Sequence, residues 1–162
     1  MSAGTFTGGA RAGLPVVLGY LGIGIAAGVV EGLGVGHNAL AALMTRGLAE
    51  LSRLAVAAGA QPQTLSGLAG LGDLVLTCTG DLSRNRQVGI ELARGRSLQE
   101  ILAGTRMVAE GVRTTEAALA LGARYNIELP IAREMSDVLA GRTAPQLAIR
   151  NLMGRKQKLE HA

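Results

Sequence analysis

The chain has 162 residues, enough for one domain of ordinary size, and its 48% hydrophobic and 17% charged residues exclude an intrinsically disordered protein. A net charge of +4 and a sequence pI of about 10.0 suit an anionic partner. Because the basic residues are dispersed and the aromatic residues are limited to Phe6, Tyr20 and Tyr125, the composition disfavours nucleic acid and favours a small phosphorylated ligand.

We interpret the amino-terminal residues 1–21 as a divergent, glycine-rich leader, because residues 1–13 show no periodic apolar pattern. The run from Leu14 to Val30 contains no charged residue, but it is marginal for a membrane span, which requires about 20 apolar residues. Its glycines and Pro15 also weaken an isolated helix. We expect a buried, glycine-rich core helix here and no membrane span, with a membrane anchor as the alternative.

The same run contains Gly22-Ile23-Gly24-Ile25-Ala26-Ala27, which matches the G-x-G-x-x-A fingerprint of dinucleotide-binding loops. A true fingerprint follows a strand and precedes, by about 20 residues, an acidic residue that binds the ribose. That window here is Leu40-Ala41-Ala42-Leu43-Met44, without an acidic residue. We therefore expect the match to come from the abundance of small residues.

The remaining segments predict an all-α fold of about seven or eight helices with short loops and no sheet, because apolar residues recur at steps of three and four. Local signals mark where helices begin and end. We expect helix starts at Asn38, Pro62, Ser83, Ser97 with Glu100, Pro130, and Thr143 with Gln146, and helix ends at Gly59, Gly95 and Gly141.

The residues most able to carry chemistry lie between positions 67 and 86. Asp73 and Thr77 are four apart, so on a helix their carboxylate and hydroxyl share one face. After a turn at Gly80, the run Ser83-Arg84-Asn85-Arg86 presents polar and cationic groups at a helix start, which suits a phosphate dianion. In the alternative interpretation Asp73 forms an ordinary ion pair with Arg84 or Arg86, and Ser83 only caps the helix.

Cys78, the only cysteine, lies in the same window. It excludes an internal disulfide, so the cytoplasm is the simplest compartment. With only His37 and His161 beside it, the sequence contains no convincing zinc set, and we expect no metal site.

The strings Gly-Leu-Gly-Asp-Leu-Val-Leu-Thr-Cys, at residues 70–78, and Ser-Arg-Asn-Arg, at residues 83–86, resemble the signature of bacterial NAD(P)-dependent glycerol-3-phosphate dehydrogenases. Residues 24–36, 38–50, 107–111 and 128–131 are also similar to that family, so that the resemblance covers roughly residues 22–155. It implies the helical, substrate-binding C-terminal domain of such an enzyme, similar to the C-terminal domain of 6-phosphogluconate-dehydrogenase-like enzymes.

The resemblance also implies the ligands and the residues that bind them. The substrate would be glycerol 3-phosphate or dihydroxyacetone phosphate, the cofactor NAD or NADP, and the pathway phospholipid biosynthesis. Asp73 would lie near the reacting hydroxyl as a catalytic residue. The implied substrate-binding residues are Asp73, Thr77, Ser83, Arg84 and Asn85, and the implied cofactor contacts are Arg84, Val108 and Glu110.

The chain departs from the family at the catalytic lysine, whose position falls at Tyr20 when the chain is aligned on Ile25-Ala26-Ala27-Gly28. Its only lysines are Lys156 and Lys158, in a basic tail at residues 156–162. We therefore expect the chain to need a separate nucleotide-binding half and to be inactive alone. A non-catalytic module that binds a phosphorylated metabolite is the alternative, and a homo-oligomer is compatible with either.

Overall fold

The computed structural model describes residues 22–103 and 108–155. These residues form nine α-helices and one five-residue π-helix, without a strand, which confirms the predicted all-α fold. The π-helix spans Leu68–Gly72. The α-helices are α1 (22–32), α2 (His37–Ala57), α3 (Pro62–Ser66), α4 (Asp73–Thr79), α5 (Arg84–Ala93), α6 (Leu98–Leu102), α7 (Val108–Tyr125), α8 (Pro130–Leu139) and α9 (Pro145–Gly154).

Helix α1 is the centre of the domain, because almost all of its residues are buried. It packs against α5 through glycines that repeat every four residues. A Cβ atom added at Gly28 would lie 1.9 Å from the carbonyl oxygen of Arg86, and one added at Gly89 would lie 2.0 Å from the carbonyl oxygen of Ile25. The two backbones are therefore in direct contact, as only glycine permits.

The contacts of α1 test two predictions made for the glycine-rich run, the buried core helix and the chance match to a dinucleotide fingerprint. Residues 22–30 form the predicted buried core helix, whereas residues 14–21 lie outside the described part of the chain. Gly22–Ala27 is continuous helix in contact with other helices, so these residues do not form a loop that could hold a pyrophosphate. In the described ranges, no helix combines the length and apolar character needed to cross a membrane.

Several helix boundaries follow the local signals. Ser83 accepts a hydrogen bond from the backbone N–H of Arg86, and Ser97 forms a capping box with Glu100. Pro62 and Pro130 occupy the first positions of α3 and α8. The glycines predicted to end helices have φ angles of +97° (Gly59), +90° (Gly95) and +69° (Gly141), a left-handed conformation that is typical of C-terminal caps.

Two predicted caps are wrong. Helix α2 begins at His37 with Gly36 as its N-cap, so Asn38 lies inside the helix. Helix α9 begins at Pro145 after Ala144, not at Thr143. Proline favours the first helical position and holds the preceding residue in an extended conformation, which is why α9 cannot begin earlier.

One helix start is stabilised from a distant part of the chain. Glu50, buried in α2, accepts hydrogen bonds from the backbone N–H groups of Ile131 (2.9 Å) and Ala132 (3.2 Å) in the first turn of α8. Burial raises the pKa of the Glu50 carboxyl to about 7, against the lowering effect of these two hydrogen bonds. This carboxyl therefore replaces the side-chain cap that Leu129 cannot provide.

Candidate functional site

The candidate site lies where α1, α4 and α5 meet. Asp73 and Thr77 both belong to α4, which confirms that the carboxylate and the hydroxyl lie one helical turn apart on one helix. The π-helix runs directly into Asp73. A short turn after α4 leads to Ser83 and so to the start of α5.

Gly24 of α1 brings two of the predicted site residues together. A Cβ atom added at Gly24 would lie 2.9 Å from the Cγ2 atom of Thr77 and 3.1 Å from the Cβ atom of Asn85. Both side chains are half-buried. Thr77 and Asn85, which come from different helices, therefore flank the same point of α1.

The Ser83-Arg84 pair is at the amino terminus of α5. The Ser83 oxygen accepts a hydrogen bond from the N–H of Arg86 at 3.4 Å, and its own O–H group is available to donate. Arg84 is exposed, and its guanidinium forms no ion pair with the residues that the structure describes. This guanidinium is therefore free to meet a ligand.

Arg86 has a different environment from Arg84. It is buried and donates two hydrogen bonds to the carboxylate of Glu31 in α1, at 2.6 and 2.7 Å. Its Nη1 atom also lies 3.3 Å from the carbonyl oxygen of Gly80 and 3.4 Å from Oδ1 of Asp81. Arg86 thus ties the turn between α4 and α5 to α1.

The alternative ion pair of Asp73 is not what the structure shows. Asp73 is exposed and forms no ion pair in the described ranges, and Arg86 is engaged by Glu31 and Asp81. The carboxylate of Asp73 is therefore available at the surface beside Thr77.

The remaining predicted residues cannot be placed in the site by their side chains. Val108 and Glu110 belong to the first turn of α7, and their side chains lie outside the described part of the structure. Tyr20 also lies outside the described residues, as do Lys156 and Lys158.

Cys78 belongs to the same helix, α4, as Asp73 and Thr77. It is buried together with Leu74. Burial raises the pKa of the Cys78 thiol to about 12, so that the thiolate, the reactive form, is scarce near neutral pH. Cys78 is therefore a core residue and not a nucleophile.

The segment that carries the polar residues of α4 also exposes large apolar side chains, which the sequence alone did not single out. Of the eight exposed large hydrophobic residues in the described part of the chain, five lie between positions 68 and 82. We call these five residues the apolar rim: Leu68, Leu71, Val75, Leu76 and Leu82. Leu68 and Leu82 are 91% and 95% exposed, which is unusual for side chains of this size grouped in one region.

Comparisons with known proteins agree on one family. A family model described as the C-terminus of NAD-dependent glycerol-3-phosphate dehydrogenase matches residues 22–150. An NAD(P)+ glycerol-3-phosphate dehydrogenase from Oleidesulfovibrio alaskensis is 61% identical over 138 residues, which cover 85% of this chain and 42% of that protein. The corresponding protein from Acidobacterium capsulatum is 61% identical over 134 residues, or 82% of this chain and 40% of that protein.

A solved structure shows the same fold. The crystal structure of glycerol-3-phosphate dehydrogenase from Coxiella burnetii superposes with a TM-score of 0.81 at 40% identity, covering 88% of this chain and 45% of that one. The chain therefore spans less than half the length of the relatives that it matches.

Proposed function

We propose that this chain, which belongs to the NAD-dependent glycerol-3-phosphate dehydrogenase family, binds a substrate. It matches the C-terminal part of that family, as the sequence resemblance predicted. The ligand would be glycerol 3-phosphate or dihydroxyacetone phosphate. The observation that carries the proposal is the meeting of Thr77 and Asn85 at Gly24, beside the exposed Asp73 and the Ser83-Arg84 helix start.

The phosphate group of the ligand would bind at the start of α5. The guanidinium of Arg84, which forms no ion pair with the described residues, supplies a charge-assisted hydrogen bond, and the Ser83 hydroxyl supplies a second donor. The positive end of the α5 dipole favours a dianion at the same place.

The three-carbon part of the ligand would lie against α4. The Asp73 carboxylate accepts hydrogen bonds from hydroxyl groups, and the Thr77 hydroxyl both donates and accepts them. The Asn85 amide offers a donor and an acceptor from the other side of Gly24. Asp73 would be the group closest to the reacting hydroxyl.

The redox step needs groups that the described residues do not provide. NAD or NADP supplies or accepts the hydride when it is bound, but the described residues contain no βαβ unit, and their glycine fingerprint is helical. They do not fit the dinucleotide by themselves. We propose that Arg84, Val108 and Glu110 contact a cofactor that a separate nucleotide-binding half holds, on the same or another chain, and the apolar rim supports such a docking.

A non-catalytic module that binds a phosphorylated metabolite is the second candidate. The absence of any lysine before Lys156 favours it, because the position that the resemblance implies for the family's proton-transfer lysine falls at Tyr20. Addition of a nucleotide-binding half from a relative, with NAD or NADP and glycerol 3-phosphate, separates the two candidates. Turnover supports the dehydrogenase part, whereas ligand binding without turnover supports the module.

Substrate binding itself is tested by isothermal titration calorimetry of the purified chain. We expect glycerol 3-phosphate and dihydroxyacetone phosphate to bind and glycerol, which lacks the phosphate, not to bind. Equal heats for glycerol 3-phosphate and for buffer would refute the proposed site.

A further inference from the structure

We propose that Arg86, held in place by Glu31, is a positioning residue that fixes the Ser83-Arg84 helix start where a ligand phosphate can reach it. The inference rests on the proposed function and goes beyond it, because it gives the site two residues that do not touch the ligand themselves. Its basis is the set of contacts that these two side chains make around the turn between α4 and α5.

The turn between α4 and α5 folds back on the first residues of α5. The backbone N–H of Ser83 donates to the carbonyl oxygen of Gly80 at 3.0 Å, which closes the turn. The Nη1 atom of Arg86 donates to the same oxygen at 3.3 Å. The side-chain amide of Gln87 donates to the carbonyl oxygen of Asp81, also at 3.3 Å. The position of Ser83 therefore depends on side chains from the first turn of α5.

The backbone of Arg86 also orients the Ser83 hydroxyl. The N–H of Arg86 donates to the Ser83 oxygen at 3.4 Å, so that the hydroxyl hydrogen is left for a ligand. Arg84, the next residue along the chain, is exposed and forms no ion pair with the described residues. Both donors proposed for the phosphate therefore move with the turn.

Glu31 determines where the guanidinium of Arg86 points. Its two carboxylate oxygens accept hydrogen bonds from Nε at 2.6 Å and from Nη2 at 2.7 Å, the paired geometry that favours a fixed orientation. With this edge of the guanidinium held, Nη1 faces the turn, where it meets Gly80 and Asp81. Because Glu31 belongs to α1, the turn is fixed relative to the most buried helix of the domain.

A direct effect of charge predicts the opposite result from positioning. Glu31 carries a negative charge beside a proposed anion site, so its neutralisation should strengthen phosphate binding if charge alone matters. A loosened Arg86 guanidinium should instead weaken binding, because the donors of Ser83 and Arg84 lose their fixed position. The sign of the change in Glu31→Gln therefore separates the two explanations.

Calorimetry with glycerol 3-phosphate measures this sign. Glu31→Gln keeps the size of the side chain and one acceptor but removes the charge, and we expect binding to weaken about fivefold. Glu91→Gln is the matched control, because Glu91 accepts hydrogen bonds from Arg94 and Arg96 at 2.8 Å each, near the opposite end of α5. It changes the net charge equally and should leave the affinity within about twofold of the parent chain. Equal or tighter binding in Glu31→Gln would overturn the inference.

The same substitution in an Arg84→Ala background shows whether the effect passes through the site. If Glu31 acts by placing Arg84, the prior removal of Arg84 takes away most of the effect, and we expect Glu31→Gln to cost less than about twofold there. A loss of equal size in both backgrounds would show that Glu31 supports the fold in general, and the positioning role would be refuted.

A ligand-free measurement keeps this inference separate from the proposed function. Hydrogen exchange followed by NMR in the apo chain reports on the Ser83 amide, whose partner, the Gly80 carbonyl, is also held by Arg86. We expect faster exchange in Glu31→Gln and unchanged exchange in Glu91→Gln. Unchanged exchange in Glu31→Gln would contradict the inference even if glycerol 3-phosphate binds. A parent chain that does not bind would refute the proposed function, and the exchange rates would still decide whether Glu31 and Arg86 hold the turn.

Discussion

Arg84 and Arg86 are only two positions apart, yet one guanidinium is exposed and unpaired with the described residues and the other is buried against Glu31. We expect Arg84→Ala to weaken glycerol 3-phosphate binding by about 1.5 to 3 kcal/mol, because a charge-assisted contact to the phosphate is lost. Calorimetry measures this difference. Arg150→Ala is the control, since Arg150 is an exposed arginine on α9. Equal affinity in the parent chain and in Arg84→Ala would contradict the phosphate assignment.

Glu50 predicts a pH dependence of stability. Its folded-state pKa, raised to about 7 by burial, lies above the ordinary value of 4.5, so the folded chain holds the proton more tightly than the unfolded chain. The resulting stabilisation is complete below about pH 4.5 and is lost as the pH rises through about 7. The change is on the order of 3 kcal/mol.

Urea unfolding at pH 5 and pH 8 tests this prediction in the parent chain and in Glu50→Gln. Glutamine has a similar size and still offers one acceptor to the backbone of α8, but it does not titrate. The other titrating groups are common to both chains, so the difference between the two pH profiles reports Glu50. If stability changed with pH by the same amount in the parent chain and in Glu50→Gln, the pKa of this carboxyl would not differ between the folded and unfolded states.

At the scale of the helices, a single methyl group should break the contact between α1 and α5. Gly28→Ala would place a Cβ atom 1.9 Å from a backbone oxygen of α5, which no side-chain rotation can relieve. Overpacking typically costs about 1 to 3 kcal/mol, and we expect Gly28→Ala to be at or above the upper end of that range. The midpoint and slope of urea unfolding give the value.

Gly154→Ala is the control for that substitution, because Gly154 is also helical and has no neighbouring atom within 4 Å of a new Cβ. It should change the free energy of unfolding by less than about 1 kcal/mol. If Gly28→Ala were as stable as Gly154→Ala, the close approach of α1 and α5 would be refuted.

The elements that the sequence predicted well depend on neighbouring residues. The capping box of Ser97 and Glu100 and the proline starts of α3 and α8 need only local contacts, and the structure confirms them. The carboxyl of Glu50 caps a helix that begins 80 positions later, at Pro130, and no local pattern marks such a partner. The π-helix before α4 was missed for a similar reason, because its short apolar run resembles ordinary helix.

The features of the candidate site also differ in whether neighbouring or distant residues determine them. The four-residue spacing correctly predicted that Asp73 and Thr77 share a helix, since this is a property of the helix itself. The spacing could not tell which arginine of Arg84 and Arg86 is free, because the answer depends on Glu31, more than 50 positions earlier.

At the scale of the whole molecule, the polar site and the apolar rim occupy one region of the surface, while the remaining large hydrophobic residues of the described chain are mostly buried. Grouped exposure of Leu68, Leu76 and Leu82 is costly for a domain that works alone and is ordinary at a surface that another domain covers. The relatives are more than twice as long as the matched segment, which is consistent with such a covering domain.

We expect the 162-residue chain alone not to oxidise glycerol 3-phosphate, for two independent reasons. Hydride transfer needs a nicotinamide held at reacting distance, and the described helices contain no dinucleotide-binding unit. Proton transfer needs a positioned base, which typically contributes about 100- to 10,000-fold to the rate, and no lysine precedes Lys156.

The measurement is the formation of NADH or NADPH, followed by absorbance, with the purified chain and glycerol 3-phosphate. An intact family member assayed in parallel supplies the reference rate. A rate within tenfold of that reference would contradict both reasons at once, because it would require a cofactor site and a base among residues assigned to neither. A rate that appears only when a nucleotide-binding half is added would agree with the first reason.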